Sequence, residues 1–206
     1  MASAAPVHFG WPVSPYTHKT LAYLRYSQLD FIHREPSALE LMRRISPAVG
    51  RLIMPTVQLE DGTWLQDSSL IIDHFESRSR ADPITPSAPS QRLASALLEV
   101  FADEWLPMAA LHFRWNMTDN NAFARNEFAR LGFPLLPPAM GRRLTRSLAQ
   151  RMQSYLPKLG VDENTIPAIE ETATLVISVL EAGLKKTPFI LGHRPCLGDF
   201  ALFGPL

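Results

Sequence analysis

The amino-acid sequence predicts an α+β chain in two units. These are a βαβαββα unit over residues 1–78, a linker over 79–89 and an all-α helical unit over 90–206. Three observations predict it. Short apolar runs alternate with amphipathic stretches through the first 76 residues. Residues 77–90 (SRSRADPITPSAPS) are polar and proline-rich, which suits a connection rather than an element. Beyond them strand-like runs give way to helical periodicity alone.

The elements follow in order. Val7–Trp11 reads as a first strand. Ser14 offers a helix N-cap, and Pro15 stands at the first helical position, where its missing N–H costs nothing. Thr17, Leu21, Leu24 and Gln28 share one side of that helix. Asp30–Arg34 reads as a second strand, and Ser37-Ala-Leu-Glu40 fits a capping box opening a second helix, which Pro47 is expected to end. Met54–Leu59 and Thr63–Gln66 flank Glu60-Asp61-Gly62, a hairpin signal. Asp67-Ser68-Ser69 then caps a helix carrying Leu70, Ile71, Ile72 and Phe75. In the helical unit, Gln91–Trp115 is a long helix expected to bend at Pro107. Asp119–Leu131 is shorter, with Gly132 as its stop, and Ala139–Tyr155 is basic and amphipathic. In Pro167–Lys186, the residues Ile169, Ala173, Val176, Ile177, Leu180 and Leu184 predict one buried face.

Composition narrows the function. Hydrophobic residues make up 46% of the 206 and charged residues 19%, ordinary values for a soluble globular protein. The formal net charge of zero argues against a broad phosphate-binding surface and hence against nucleic acid. Cys196 is the one cysteine, so no disulfide forms within the chain, which suits a reducing compartment. No apolar run approaches the roughly 20 residues that span a bilayer. The segment MASAAPVHFG lacks an apolar core of signal-peptide length, and a cytoplasmic location is expected. The six histidines show no metal-ligand spacing, so no metal is assigned. Gly192 and Gly198 do not form a phosphate loop, and Arg142, Arg143, Arg146 and Arg151 read as the wet face of a helix.

The stretch Ser14-Pro-Tyr-Thr-His-Lys19 carries the chemistry. With cysteines at 14 and 17 it would be a dithiol-exchange loop of glutaredoxin kind. Hydroxyls stand there instead, which excludes dithiol exchange. A hydroxyl at a helix N-terminus can still stabilise another molecule's thiolate. A charged hydrogen bond is worth roughly 1.5–3 kcal/mol, or about 1–2 pKa units on a thiol whose ordinary value is about 8.5.

Four local features carry a family resemblance: Trp11-Pro-Val-Ser14-Pro-Tyr16 after the first strand, Met54-Pro55 entering the third, Gln66-Asp67-Ser68 opening the third helix, and Pro195-Cys196-Leu-Gly-Asp199-Phe200 near the end. In this order the chain resembles the cytosolic glutathione transferase superfamily, as a divergent member of serine type. Two departures stand out. Cys196 occupies a place usually held by Ser or Thr, so that cap is expected to be weakened. The chain also stops at Leu206, where relatives continue with more helix, and a tail or part of the substrate pocket is expected to be missing. Arg114-Trp115-Asn116 and the stretch 116–164 look more like the divergent relatives of metaxin and of the failed-axon-connections type.

The resemblance implies a thioredoxin-like first domain and glutathione as co-substrate. It implies a catalytic Ser14 hydroxyl, a cis peptide before Pro55 and a Met54 backbone that holds an extended ligand. Asp67 would take the γ-glutamyl ammonium, Ser68 its carboxylate, and Arg51 the glycyl carboxylate. A small hydrophobic electrophile, or a peroxide, would meet Trp11, Tyr16, His112, Phe113 and Trp115. A homodimer is implied too, with Asp103 and Glu104 as residues of a shared site. The residues alone leave blander readings beside these. Ser14, Asp67 and Ser68 could be plain caps, Thr17 structural, Pro55 trans, Arg51 a solvated arginine, Asp103 and Glu104 surface salt-bridge partners, and the aromatic run core. Arg114 could reach an acidic substrate or pair with a carboxylate. The expected function is a glutathione transferase-like enzyme, with a non-catalytic binding or assembly module of the same fold as the alternative.

Overall fold

The computed structural model describes residues 5–206. Residues 1–4, the start of the predicted first unit and of the leader reading, lie outside the described residues.

Four short strands form one mixed sheet in the order β2-β1-β3-β4. They are β1 (Val7–Phe9), β2 (Ile32–Arg34), β3 (Thr56–Gln58) and β4 (Trp64–Gln66), each trimmed at its ends relative to the sequence reading. β1 runs parallel to β2, so α1 (Pro15–Tyr26) makes the crossover; β3 is antiparallel to both β1 and β4. The hairpin turns at Gly62, whose φ of 88° suits glycine, with Asp61 accepting from the Thr63 N–H at 2.8 Å. α4 (Ser68–Glu76) packs beside α1, and Tyr23, Leu24, Val57, Ile71, Ile72 and Phe75 fill the space between sheet and helices.

The other sheet face is covered by α2 (Ala38–Glu40), a π turn (Leu41–Ile45) and α3 (Ser46–Val49). Pro47 therefore does not end this helix: the chain passes it by widening one turn, and Gly50 ends it in the left-handed region. The same device recurs where α5 (Pro89–Val100) enters a π turn (Phe101–Trp105) and continues as α6 (Leu106–Asn116), two residues before and through Pro107. The bend expected at Pro107 is this π turn.

α7 (Thr118–Gly132) packs against α6. The predicted helix Ala139–Tyr155 is two, α8 (Pro138–Leu144) and α9 (Arg146–Gln153), separated at Thr145, whose hydroxyl turns back to the Gly141 carbonyl at 3.0 Å. A 3-10 turn (Pro157–Leu159) leads to α10 (Ile166–Leu184). Only the first half of the predicted α10 face is fully buried, at Ile169 and Ala173. Ile177 and Leu184 are exposed, because the core that receives the helix ends near Ala173. α11 (Leu197–Phe203) lies against α5 and α1, and so bridges the two units. Its cap is complete despite Cys196: the Asp199 carboxylate accepts from the Cys196 N–H at 2.8 Å and from the Ile190 N–H at 2.9 Å. The linker is pinned to the first unit, with Ile84 buried and its N–H held by Glu76 at 2.8 Å.

Candidate functional site

The register of the sheet gathers three of the four motifs. Phe9 pairs with Thr56, and Thr56 with Gln66. The loop to Ser14 leaves this end of β1, Met54-Pro55 enters β3 here, and Asp67-Ser68 follows β4. Neighbouring strands lie roughly 4.8 Å apart, which sets β1 and β4 about 10 Å apart across β3. An extended chain covers that in about three residues.

Ser14 caps α1 from a partly buried position. Its hydroxyl oxygen accepts from the Thr17 N–H at 3.4 Å, a long bond. The hydroxyl proton has no protein acceptor among the described residues. Capping and donating to a ligand are therefore compatible, since one uses a lone pair and the other the proton. The loop before Ser14 is held by His18, whose Nε2–H donates to the Pro12 carbonyl at 2.6 Å. Gly10 brings β1 against α1 so closely that any side chain there would overlap Thr17. Thr17 itself is buried and serves packing.

The Met54-Pro55 peptide is cis, as the resemblance implies. Met54 lies just outside the ladder, and its N–H and C=O have no backbone partner among the described residues. Asp67 has φ of 85° and is exposed; its Oδ1 accepts from the Ser69 and Leu70 N–H groups at 2.9 and 3.2 Å. Ser68 is buried, and its hydroxyl has no protein partner among the described residues. Arg51 is exposed, with no ion pair among the described residues.

A cavity of about 420 Å³ opens between the two units, lined by the residues on either side of Ser14 but not by Ser14 itself. The loop residues Pro12, Val13 and Pro15 form one wall. α6 contributes Leu106, Ala109, Ala110, Phe113 and Arg114, one continuous face at spacings of 3, 1, 3 and 1. Phe123 of α7, Ile177 of α10 and the terminal Leu206 complete it. Gly204 lets this terminus approach, since a side chain there would overlap the Pro15 carbonyl.

Four residues expected on the electrophile's wall sit elsewhere. Trp11 is buried against Phe128, with its indole N–H donating to the Pro36 carbonyl at 2.7 Å. Trp115 stacks on Phe128 in the helical core. His112 is buried between Glu170 at 2.9 Å and Asn116 at 2.8 Å; it accepts from the Asn116 amide at Nδ1 and donates to the carboxylate from Nε2, tying α6 to α10. Tyr16 donates its hydroxyl to the Asp103 carbonyl at 2.8 Å. Burial, reinforced by the Asp103, Glu104 and Asp67 carboxylates, pushes the Tyr16 pKa up to about 12. Of the aromatic run, Phe113 does line the cavity.

Sequence reasoning missed Lys19. Its ammonium is buried and donates to Asp103 at 2.6 Å, Glu99 at 2.8 Å and Ser69 at 3.1 Å. Asp103 thus belongs to an internal cluster joining α1, α4 and α5, rather than to a surface salt bridge. Burial raises its carboxyl pKa, against the opposing pull of Lys19. The partners lie 80 and 84 residues away in sequence, and no local pattern announces them. Among the described residues no cluster of His, Cys, Asp and Glu could hold a metal ion, and no helix is long and apolar enough to cross a membrane.

Residues 9–83 match the family described as the N-terminal domain of glutathione S-transferase. The whole chain has the fold of solved glutathione S-transferases. One, from Pseudomonas fluorescens, is 20% identical with a TM-score of 0.52, covering 97% of this chain and 81% of that one. Another is the theta-class enzyme from Xanthomonas axonopodis pv. citri with glutathione bound, at 15% identity, TM-score 0.57 and coverage of 96% and 79%. FzlA from C. crescentus is similar at 16% identity, TM-score 0.58 and coverage of 96% and 75%. No curated protein sequence matches the chain significantly. Residues 9–83 thus match a glutathione S-transferase N-terminal domain, and the chain shares the two-unit fold of these solved structures.

Proposed function

We propose that the protein binds glutathione across the end of the sheet and activates its sulfur at Ser14 for attack on a small hydrophobic electrophile. The observation that carries this reading is the Ser14 hydroxyl proton, unclaimed by protein at the N-terminus of α1 and beside an apolar-walled cavity. An extended tripeptide matches the span from Ser14 past Met54 to Asp67 and Ser68. The unpaired Met54 backbone supplies strand-like bonds. Ser68 takes the γ-glutamyl carboxylate and Asp67 the ammonium, through the carboxylate oxygen not used in capping. Arg51, free of ion pairs among the described residues, takes the glycyl carboxylate.

The chemistry is simple to balance. The thiol gives its proton to water, and the Ser14 hydroxyl donates a hydrogen bond to the resulting thiolate. The sulfur pair attacks the electrophilic carbon, a C–S bond forms, and the leaving group departs with its own pair. Ser14 makes and breaks no covalent bond. Its contribution is the charged hydrogen bond, so Ser14→Ala is expected to lower kcat/KM by about 10- to 100-fold. The test is retention on immobilised glutathione followed by thiol-conjugation kinetics on both proteins. Absence of both retention and thiol-dependent turnover in the wild type overturns the enzyme. Retention without turnover leaves a glutathione-binding module. Equal activity in Ser14→Ala removes Ser14 from the mechanism.

The reading includes a cytoplasmic homodimer. A stripe on α5 supports the dimer: Leu93, Leu97 and Val100, spaced by 4 and 3, are 62%, 61% and 58% exposed. Light scattering should give twice the chain mass for the wild type and the single chain mass for Leu97→Glu.

A further inference from the structure

The cavity has three polar residues in its walls, and two are committed to protein partners. Glu127 holds Arg130, with its closest contact at 2.8 Å. Asn120 donates its side-chain amide to the Phe113 carbonyl at 3.0 Å. Arg114 is different. It lies in the last turn of α6, partly buried, and forms no ion pair and no hydrogen bond among the described residues. A guanidinium withdrawn from water without a counter-charge is costly. Here burial alone lowers its pKa, and no carboxylate offsets it. The adjoining Phe113, Phe123, Val13 and Ile177 side chains offer apolar contact only. The site thus combines one fixed cation with an apolar chamber large enough for an aromatic-sized body.

We infer that the electrophile accepted here carries a carboxylate on an apolar body, and that Arg114 binds this carboxylate. The inference rests on the reading that the cavity receives the substrate of a glutathione-dependent reaction. A planar guanidinium meets a carboxylate through two parallel N–H···O bonds, which also fixes the direction in which the apolar body enters. That direction matters because the reacting carbon must face the Ser14 side of the cavity. A neutral electrophile would fill the same chamber and leave the cation unpaired.

The test compares two conjugates that differ only by the carboxylate: S-benzylglutathione and S-(para-carboxybenzyl)glutathione. Calorimetric titration of the full chain with each, and with glutathione alone, gives a preference ratio. The wild type is expected to favour the carboxylated conjugate by about tenfold or more, the size of a charge-assisted hydrogen bond. Arg114→Gln is expected to bring the ratio to about one, and Arg114→Lys to restore part of it. The ratio is internal to each variant, so a fraction of misfolded protein lowers the titrated site number for both conjugates and leaves it intact. If glutathione and S-benzylglutathione bind while the carboxylate brings no preference, this inference is overturned and the glutathione reading stands. The same holds if the ratio survives Arg114→Gln. If none of the three compounds binds, the glutathione reading and this inference fall together.

Discussion

At the scale of single residues, the polar interior of the first unit is organised by proton bookkeeping. Thr20 gives its hydroxyl proton to the Tyr16 carbonyl at 3.1 Å, so its oxygen accepts from His8 Nε2 at 2.8 Å. His8 Nδ1 then accepts from His33 Nδ1 at 2.9 Å. A proton added to His8 would set N–H against N–H. Burial and the nearby His33 and Arg25 charges accordingly lower the His8 pKa from 6.5 to about 3, and burial lowers that of His33 as well. An unfolded chain binds the proton from 6.5 downward while the folded one refuses it, so stability falls as pH drops from about 6.5 towards 3. The slope from His8 alone is at most about 1.4 kcal/mol per pH unit. Asp103 contributes with the opposite sign, since its raised pKa favours the folded state below it. Urea denaturation at about pH 7, 6 and 5 should show the wild type losing stability on acidification more steeply than His8→Gln. Nothing in the sequence marked this pair: the two histidines are 25 residues apart and meet only because β1 and β2 are in register. Ser14 was legible for the opposite reason, since its cap, Pro15 and the following helix are all local.

Elements were legible where their causes are local. The caps at Ser14, Ser37 and Asp67 and the Gly62 turn fall where the sequence places them. Both π turns were invisible, although each has a local trigger in Pro47 or Pro107. A proline announces a missing N–H, but the neighbouring packing decides how the chain absorbs it. At Pro107 the absorption is specific. The carbonyl four residues earlier belongs to Asp103, which Pro107 cannot serve, and the Tyr16 hydroxyl of the other unit takes it at 2.8 Å. Tyr16→Phe should therefore cost about 1–3 kcal/mol by leaving that carbonyl short of a donor. Pro107→Ala restores an N–H at the required position. In that background Tyr16→Phe should cost less, giving a coupling of about 0.5 kcal/mol or more in a double-mutant cycle. Strictly additive changes would mean that the hydroxyl does not compensate for the proline.

At the scale of the whole molecule, the cleft exists because the two units are held at one setting. The sequence showed both units and the motifs that line up at the sheet end, because strand order and register follow from the fold class. It did not show what joins them, nor that Trp11 is spent on that packing against Phe128 while His112 and Trp115 serve the interior of the helical unit. Lys19 is the centre of the join. It stands on α1 five residues after Ser14; of its two carboxylates, Glu99 stands in the last turn of α5 and Asp103 in the π turn that follows. Removing the ammonium leaves Glu99 and Asp103 facing each other, with side chains only 17% and 18% exposed. Lys19→Met should accordingly lower stability by roughly 3–5 kcal/mol, the cost of stranding buried charge. Replacing all three, as Lys19→Met, Glu99→Leu and Asp103→Leu together, should recover most of that loss, because a well-packed apolar cluster often equals a buried ion pair. The triple variant also separates stability from function. It keeps Ser14 and Ser68 but loses the bonds that fix α1 against α5, so its preference between the two conjugates should weaken even where its urea midpoint returns to the wild-type value. A triple variant with full stability and an unchanged preference would show that packing of α11 against α1 and α5 alone sets the cleft.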